Sequence, residues 1–161
     1  MKLFHDFRPD TRLWVYAFPR RLDPAELQVV RDALAEFVED WKSHQDDVRG
    51  AFGIVHDQFV FLAGETADGV SGCSIDSSVR VFKTLKTQYQ LDALNRSLVY
   101  FRDGDYIKCV SRPDFQRLVD EGKIKKDTVV FNNAITKVGE LQTGFWEIPF
   151  AQSWHAVAFV H

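Results

Sequence analysis

The strand-like segments of this sequence are apolar on both faces, and this constrains the fold more than any other feature. Residues 11–18, TRLWVYAF, and residues 51–64, AFGIVHDQFVFLAG, are both rich in β-branched and aromatic residues. A strand with two apolar faces has to be covered on both sides, so residues 11–18 predict a central strand. Residues 51–64 predict a hairpin that turns at Asp57 and Gln58. In that register one face carries Phe52, Ile54, His56, Phe59 and Phe61, and the other carries Val55, Val60 and Leu62.

Two amphipathic helices accompany these strands. The first begins with the pattern of a capping box, in which Asp23 precedes Pro24 and Glu26 lies three residues after the cap. The second follows the stretch 69–80, GVSGCSIDSSVR, where Ser74 is suited to be its N-cap. Both predicted helices have apolar residues at helical spacing. These are Leu27, Val30, Leu34, Phe37 and Trp41 in the first helix, and Ile75, Val79, Phe82, Leu85 and Tyr89 in the second.

The order of elements predicts an α+β fold with a ferredoxin-like core. Through residue 102 the order is strand, helix, hairpin, helix and strand, which is a split β-α-β arrangement. We expect residues 1–96 to form this core and residues 97–161 to be an extension packed on the same sheet, so that 1–161 is a single domain. The extension adds a hairpin turning at Asp103 and Gly104, a short helix capped by Ser111, and edge strands. That hairpin pairs Leu98 with Cys109 and Tyr100 with Ile107.

The second face of the sheet also needs cover, because both predicted helices pack on one face. The sequence offers two solutions, a second subunit or the C-terminal third of the chain. The apolar residues available there are Phe145, Trp146, Ile148, Phe150, Trp154 and Phe159.

Composition argues against several classes of function. The 161 residues carry a net charge of −3, which gives no overall attraction to nucleic acid or to an anionic membrane. No segment has the length of apolar sequence that a membrane span or a signal peptide requires. Cys73 and Cys109 form no C-x-x-C motif, which favours free thiols in a cytoplasmic protein. The five histidines lack metal-ligand spacing, so we expect neither a metal nor a cofactor.

The stretch 69–80 holds the first group of candidate site residues. A glycine-containing loop at a helix N-terminus can bind an anion, such as the phosphate of a metabolite, through backbone N–H groups. The side chains around such a ligand would be Cys73, Ser74, Asp76, Ser77 and Arg80. The alternative is structural: Ser74 caps the helix and Asp76 pairs with Arg80 one turn later. The chain contains no G-x-x-x-x-G-K-[ST] motif for nucleotide phosphates.

Cys73 also supports an enzymatic hypothesis. A helix N-terminus lowers the pKa of a neighbouring thiol, and the resulting thiolate is a nucleophile. Such a nucleophile needs a base, which His5, His56 or His155 would have to supply through folding. The alternative is a cysteine that only packs.

Two clusters nearer the C-terminus form the second group. Asn132 and Asn133, in the sequence FNN, offer donors and acceptors for a polar ligand, although asparagine after a strand also serves turns. Trp154 and His155, in the sequence SWH, would either line a pocket or belong to the core. A single site requires both groups of candidates to meet in one cleft.

Two resemblances bear on function. In order over nearly the full length, FRPDTRLWVY, GCSIDSS, FNN and SWH resemble a family of short uncharacterised bacterial proteins, which implies a shared fold and no activity. Some members carry the label of a transporter ATPase, which these residues do not support because the chain has no phosphate loop. Residues 99–133 are similar to bacterial GYF-like modules, in a hairpin, a short helix ending at Gly122, and Asp127-Thr128 before a strand. That similarity implies local structure and raises the expectation of an interaction role.

These features predict a non-catalytic module that binds a partner protein or a small polar ligand, with self-association as a further expectation. One alternative is a small enzyme that uses Cys73 as its nucleophile. Another is a protein that binds an anion or phosphometabolite at the helix N-terminus within residues 71–80.

Overall fold

Helices and antiparallel strands alternate along the chain, which confirms the α+β class. A computed structural model describes residues 3–43, 48–65 and 72–160, with the backbone alone for 42–43 and 72–76. The strands are β1 (Arg12–Ala17), β2 (Arg49–Val55), β3 (Phe59–Glu65), β4 (Val99–Asp103), β5 (Tyr106–Val110), β6 (Val129–Phe131) and β7 (Glu147–Pro149). The helices are α1 (Pro24–Ser43), α2 (Gly72–Tyr89), α3 (Arg112–Asp120), α4 (Val138–Gln142) and α5 (His155–Ala158), with a 3-10 turn at Phe150–Gln152.

The strands form two sheets, and this corrects the predicted ferredoxin-like topology. The first sheet has the order β1-β3-β2, and the second has the order β5-β4-β6-β7. A split β-α-β core would place the strand after α2 beside β1, so that β1 lay between it and β3. Instead β4 pairs with β5 and β6 in the second sheet. The expectation that the strand after α2 joins the first sheet, with β1 as a central strand, is therefore wrong.

The first helix forms as its capping pattern predicts. Asp23 Oδ1 accepts a hydrogen bond from the Glu26 backbone N–H at 2.8 Å, and Glu26 Oε1 accepts one from the Asp23 N–H at 3.0 Å. Its apolar stripe is buried against one face of the first sheet, in a cluster to which α2 also contributes. Phe82 and Leu85 lie inside this cluster, whereas Tyr89 is half exposed at the end of α2.

The β2–β3 hairpin differs from the predicted register by one residue. Val55 pairs with Phe59, so the turn contains His56, Asp57 and Gln58 instead of two residues. Gln58 ends this turn and is tied to the end of β1, because its side chain donates to the Phe18 carbonyl and its own carbonyl accepts from the Phe18 N–H. One residue of slip moves a strand's side chains to the other face. Phe52 and Ile54 consequently lie on the helix side with Val60 and Leu62, and not with Phe59 and Phe61.

The β4–β5 hairpin turns one residue later than predicted. Its turn is Gly104-Asp105, with Gly104 at φ 62°, and Tyr100 pairs with Cys109. Two residues of offset preserve the faces, so Tyr100, Ile107 and Cys109 still share one side as expected.

The C-terminal part covers the second face of the first sheet. Trp146, Tyr100 and Phe131 pack there with residues of β1 and β3 such as Val15 and Phe61. The other C-terminal aromatic and aliphatic residues are placed differently from the prediction. Ile148, Phe150 and Phe159 pack with Phe115 of α3 on the far side of the second sheet, while Phe145 and Trp154 stay partly exposed.

The remaining short elements follow their local signals. Ser111 Oγ accepts from the Asp114 N–H and caps α3, and Gly122 ends that helix with φ 74°. β7, which contains Pro149, lies at the edge of the second sheet as predicted. Within the described ranges, no helix has both the length and the apolar character needed to cross a membrane.

Candidate functional site

A cleft of about 240 Å³ lies at the open edge of β1. On one side it is bounded by the segment that leads from α2 into β4, including Asn95 and Arg96. On the other side it is bounded by the residues after β6 and by the start of α5. Its lining comprises Val15, Ala17, Ala93, Asn95, Arg96, Leu98, Tyr100, Phe131, Asn133, Ala134, Trp154 and His155. Asn133, Trp154 and His155 were all candidates from the sequence.

The open edge of β1 supplies backbone polar groups to the cleft. Phe18 donates its backbone N–H to Gln58, so the even-numbered residues of β1 turn their backbone groups towards β3 and the odd-numbered residues turn theirs outwards. The two outward carbonyl groups beside the cleft are bound by side chains. Arg96 Nη1 donates to Val15 O at 2.8 Å, and the Tyr100 hydroxyl donates to Ala17 O at 3.3 Å.

The outward N–H groups of the same two residues, Val15 and Ala17, are not bound by a described side chain. Leu13 N–H, at the start of the strand, donates to Thr136 O at 2.9 Å. The N–H groups of Val15 and Ala17 point the same way, and no hydrogen bond joins either to another described residue. Two backbone donors therefore face the cleft edge.

Asn133 presents its donors to the cleft because its acceptor is already used. The Asn133 Oδ1 accepts from the Trp146 indole Nε1–H at 2.9 Å, which fixes the orientation of the amide. Nδ2 has no hydrogen-bond partner among the described residues. Asn132 is different: its Nδ2 donates to Phe145 O and its Oδ1 accepts from the Ala134 N–H. Asn132 thus serves the turn, and it does not line the cleft.

His155 is a neutral imidazole buried beneath Trp154. Only 1% of it is exposed, and its ring stacks on that of Trp154 with the centroids 3.9 Å apart. Burial, assisted by the positive charge of Arg112, lowers the pKa of His155 from its ordinary 6.5 to about 4. The Ser153 hydroxyl donates to Phe150 O, so it accepts from His155 Nδ1–H. In this tautomer Nε2 is an acceptor, and it has no hydrogen-bond partner in the described part of the chain.

Ser77 and Arg80 are the two candidates from the stretch 69–80 whose side chains are described, and they do not join this cleft. Ser77 and Arg80 line a separate groove between α1 and α2, on the helix-covered face of the first sheet. The same groove is lined by Asp32, Glu36 and Asp40, whose charges disfavour an anion there. These two candidates therefore do not form one site with Asn133, Trp154 and His155.

The N-terminus of α2 differs from the prediction. The helix begins at Gly72, so Ser74 lies in its first turn and is not the N-cap. The side chains of Cys73, Ser74 and Asp76 lie outside the described residues. Thiol chemistry at Cys73, and the pairing of Asp76 with Arg80, stay predictions.

Sequence reasoning missed the residues that give the cleft its donors. Arg96 stands in LDALNRSL, which carries no recognisable binding motif, and the unpaired edge of β1 depends on strand order. A second missed cluster joins Arg102, Glu147 and His56: Arg102 holds the Glu147 carboxylate with two hydrogen bonds, of 2.7 and 3.2 Å. Burial alone would raise the pKa of Glu147, but the hydrogen bonds and charges of Arg102 and His56 together outweigh it and hold that pKa below its ordinary value. This cluster lies outside the cleft lining.

The structure adds little evidence for a cofactor site or for either of the two resemblances. No set of three or more histidine, cysteine, aspartate or glutamate side chains suited to a metal is found in residues 3–43, 48–65 and 72–160. The elements β4, β5, α3 and β6 have the order that the resemblance to GYF-like modules implies, but this order is local and the resemblance remains a prediction. No protein-family model, curated protein or solved structure matches this chain.

Proposed function

We propose that this protein binds a small polar ligand in the cleft at the β1 edge without transforming it. The observation that carries the proposal is the meeting of Asn133, Trp154 and His155, from two distant sequence clusters, with Arg96 around one cavity. A few polar groups that converge in a mainly apolar cavity are the usual form of a ligand site. The cavity suits a ligand smaller than a drug, because about 240 Å³ is less than the roughly 300–1,000 Å³ of pockets that hold drug-sized ligands.

The ionisable groups of the cleft support binding over catalysis. Among the described residues that line it, only Arg96, Tyr100 and His155 can titrate, and none is a cysteine, serine or carboxylate nucleophile. Burial raises the pKa of Tyr100, which keeps its hydroxyl protonated. The lowered pKa makes His155 a poor general base at neutral pH.

A ligand screen with a blocked cleft tests this proposal. Small polar metabolites that bind the folded protein should raise its melting temperature in proportion to occupancy. Ala134 lies exposed at the cleft, so Ala134→Phe should fill the opening and abolish the shift. Ala35→Phe adds the same side chain at an exposed position of α1 and should leave the shift unchanged. Stabilisation that survives Ala134→Phe, or a screen without any stabilising compound, would contradict a ligand site in this cleft.

A further inference from the structure

At the β1 edge of the cleft, the groups left for a ligand are mainly hydrogen-bond donors. Its donors are the N–H groups of Val15 and Ala17, the Nδ2 amide of Asn133, and the guanidinium atoms of Arg96 that Val15 O does not use. Its acceptors are reduced because the Val15 and Ala17 carbonyl groups and Asn133 Oδ1 already accept bonds. A ligand that satisfies this lining has to be rich in acceptors.

Charge points the same way. Arg96 lines the cleft, and Arg112 lies close to Trp154, another lining residue, with its Cζ 5.6 Å from the ring centroid. No described residue in the lining is acidic. A carboxylate provides two oxygens that accept several hydrogen bonds, and charge-assisted bonds to arginine are stronger than neutral ones.

We propose that the ligand is a small hydroxycarboxylic acid whose carboxylate binds at the open edge of β1. This inference rests on the proposed function and narrows it to one class of ligand. The hydroxyl group would donate to His155 Nε2, a side-chain acceptor of the lining that has no partner among the described residues. An ammonium group in place of the hydroxyl could also donate to this atom. It would bring a positive charge beside Arg96, however, and the described lining has no acidic side chain to balance it.

The open edge is too short for a peptide strand. Arg12 forms a bridge with Lys137 and Leu13 donates to Thr136, so the first residues of β1 are already covered. The free part spans Val15 to Ala17 only, which is about 10 Å at ~3.3 Å per residue. A compact acid fits this length, whereas an added strand would collide with residues 136 and 137.

Titration of the 15N-labelled protein with four matched compounds tests the proposal. Lactate should shift the backbone amide signals of Val15 and Ala17, because these N–H groups would bind its carboxylate. Lactamide lacks the charge, propionate lacks the hydroxyl, and alanine replaces the hydroxyl by an ammonium group, so each should bind at least about tenfold more weakly. Tri-alanine, which tests whether the carboxylate is a peptide end, should leave the signals unchanged.

Two substitutions connect the binding to the named donors. Asn133→Asp keeps an acceptor for Trp146 Nε1–H but removes the Nδ2 donors, and Arg96→Gln keeps a donor for Val15 O but removes the charge. Each should weaken lactate binding at least about tenfold. Arg80→Gln removes an arginine from the α1–α2 groove and should not change the binding. If Asn133→Asp does not fold, Arg96→Gln alone decides the test.

The outcomes separate this inference from the proposed function. If lactamide binds as tightly as lactate and Ala134→Phe blocks both, the cleft is a ligand site but its ligand is not a carboxylate, and the inference is wrong. Tighter binding of propionate, alanine or tri-alanine than of lactate would also overturn it. If no compound shifts Val15 or Ala17 while the metabolite screen also fails, both proposals are wrong.

Discussion

Because the imidazole of His155 is buried, the free energy of unfolding should decrease as the pH is lowered from 7 to 5. In the folded state its pKa is lowered from 6.5 to about 4 by burial and by Arg112. The unfolded chain therefore binds a proton at this group well before the folded chain does. Wherever the unfolded state holds more protons than the folded state, the free energy of unfolding decreases as the pH is lowered. The stabilising effect of the neutral ring is complete above pH 6.5, is lost as the pH falls towards 4, and does not change further below it.

The size of this effect follows from the two pKa values. Their difference corresponds to about 3 kcal/mol in the free energy of unfolding, and the linkage relation assigns about 2 kcal/mol of it to the range above pH 5. The whole stability of a domain is about 5–15 kcal/mol, so the loss is measurable. The carboxyl groups with lowered pKa values affect the free energy of unfolding mainly at lower pH than His155 does. For example, hydrogen bonds from Arg20 lower the pKa of Glu26 to about 2.

Urea denaturation at pH 7, 6 and 5 measures the effect. The wild-type protein should lose about 2 kcal/mol more than His155→Asn between pH 7 and pH 5. Asparagine keeps an N–H donor near the position of Nδ1, so the bond to Ser153 Oγ is preserved while the titration is removed. Arg112→Gln should reduce the loss, because it removes the charge that opposes protonation. An NMR titration that finds His155 protonating near 6.5 in the folded protein would refute the reasoning, as would identical pH dependence in wild type and His155→Asn.

Three further substitutions test the packing and local structure. Asp23→Ala removes the acceptor that caps α1 and should lower the free energy of unfolding by about 1 kcal/mol in urea denaturation, whereas an unchanged value would mean that the capping box adds nothing. Phe82→Ala removes a fully buried ring stacked 3.7 Å from Tyr16 and should cost about 3–5 kcal/mol, so a cost below about 1 kcal/mol would contradict that packing. Gly64→Ala would place a Cβ atom 2.9 Å from Cζ3 of Trp41 and should lower the free energy of unfolding by about 1–3 kcal/mol. A stabilising effect in thermal denaturation would show that the Trp41 ring moves aside without cost.

Local signals in the sequence predict the helices well because their determinants are close in the chain. The Asp23–Glu26 capping box and the Ser111 cap depend on contacts within three residues, and both form. Hairpin registers are less predictable because distant contacts compete with the turn. Gln58 lies in the turn as predicted, but its hydrogen bonds with Phe18, 40 positions away, tie it to β1, and the turn has three residues instead of two. The register of β2 then changes by one residue.

The candidate site was predictable only in part, for a related physical reason. Asn133, Trp154 and His155 stand out by residue type, and the structure brings them together. Arg96 does not stand out, since an exposed arginine after a helix is common and only the open edge of β1 gives it a role. Arg80 stands out beside a helix N-terminus, yet α1 brings an acidic face against it. Residue type thus identifies groups that can bind, while their partners depend on which elements pack together.

The topology itself explains why a cleft exists at the β1 edge. After α2 the chain makes two Asx turns, in which Asp92 accepts from the Leu94 N–H and Asn95 accepts from the Ser97 N–H. These side-chain bonds favour turns over a continuous strand, so the segment passes β1 without pairing and β4 forms with β5 and β6 instead. The Arg96 side chain, not a backbone group, reaches Val15 O. A ferredoxin-like fourth strand would have bound the Val15 and Ala17 N–H groups, and its absence from the first sheet leaves them facing the cleft as donors.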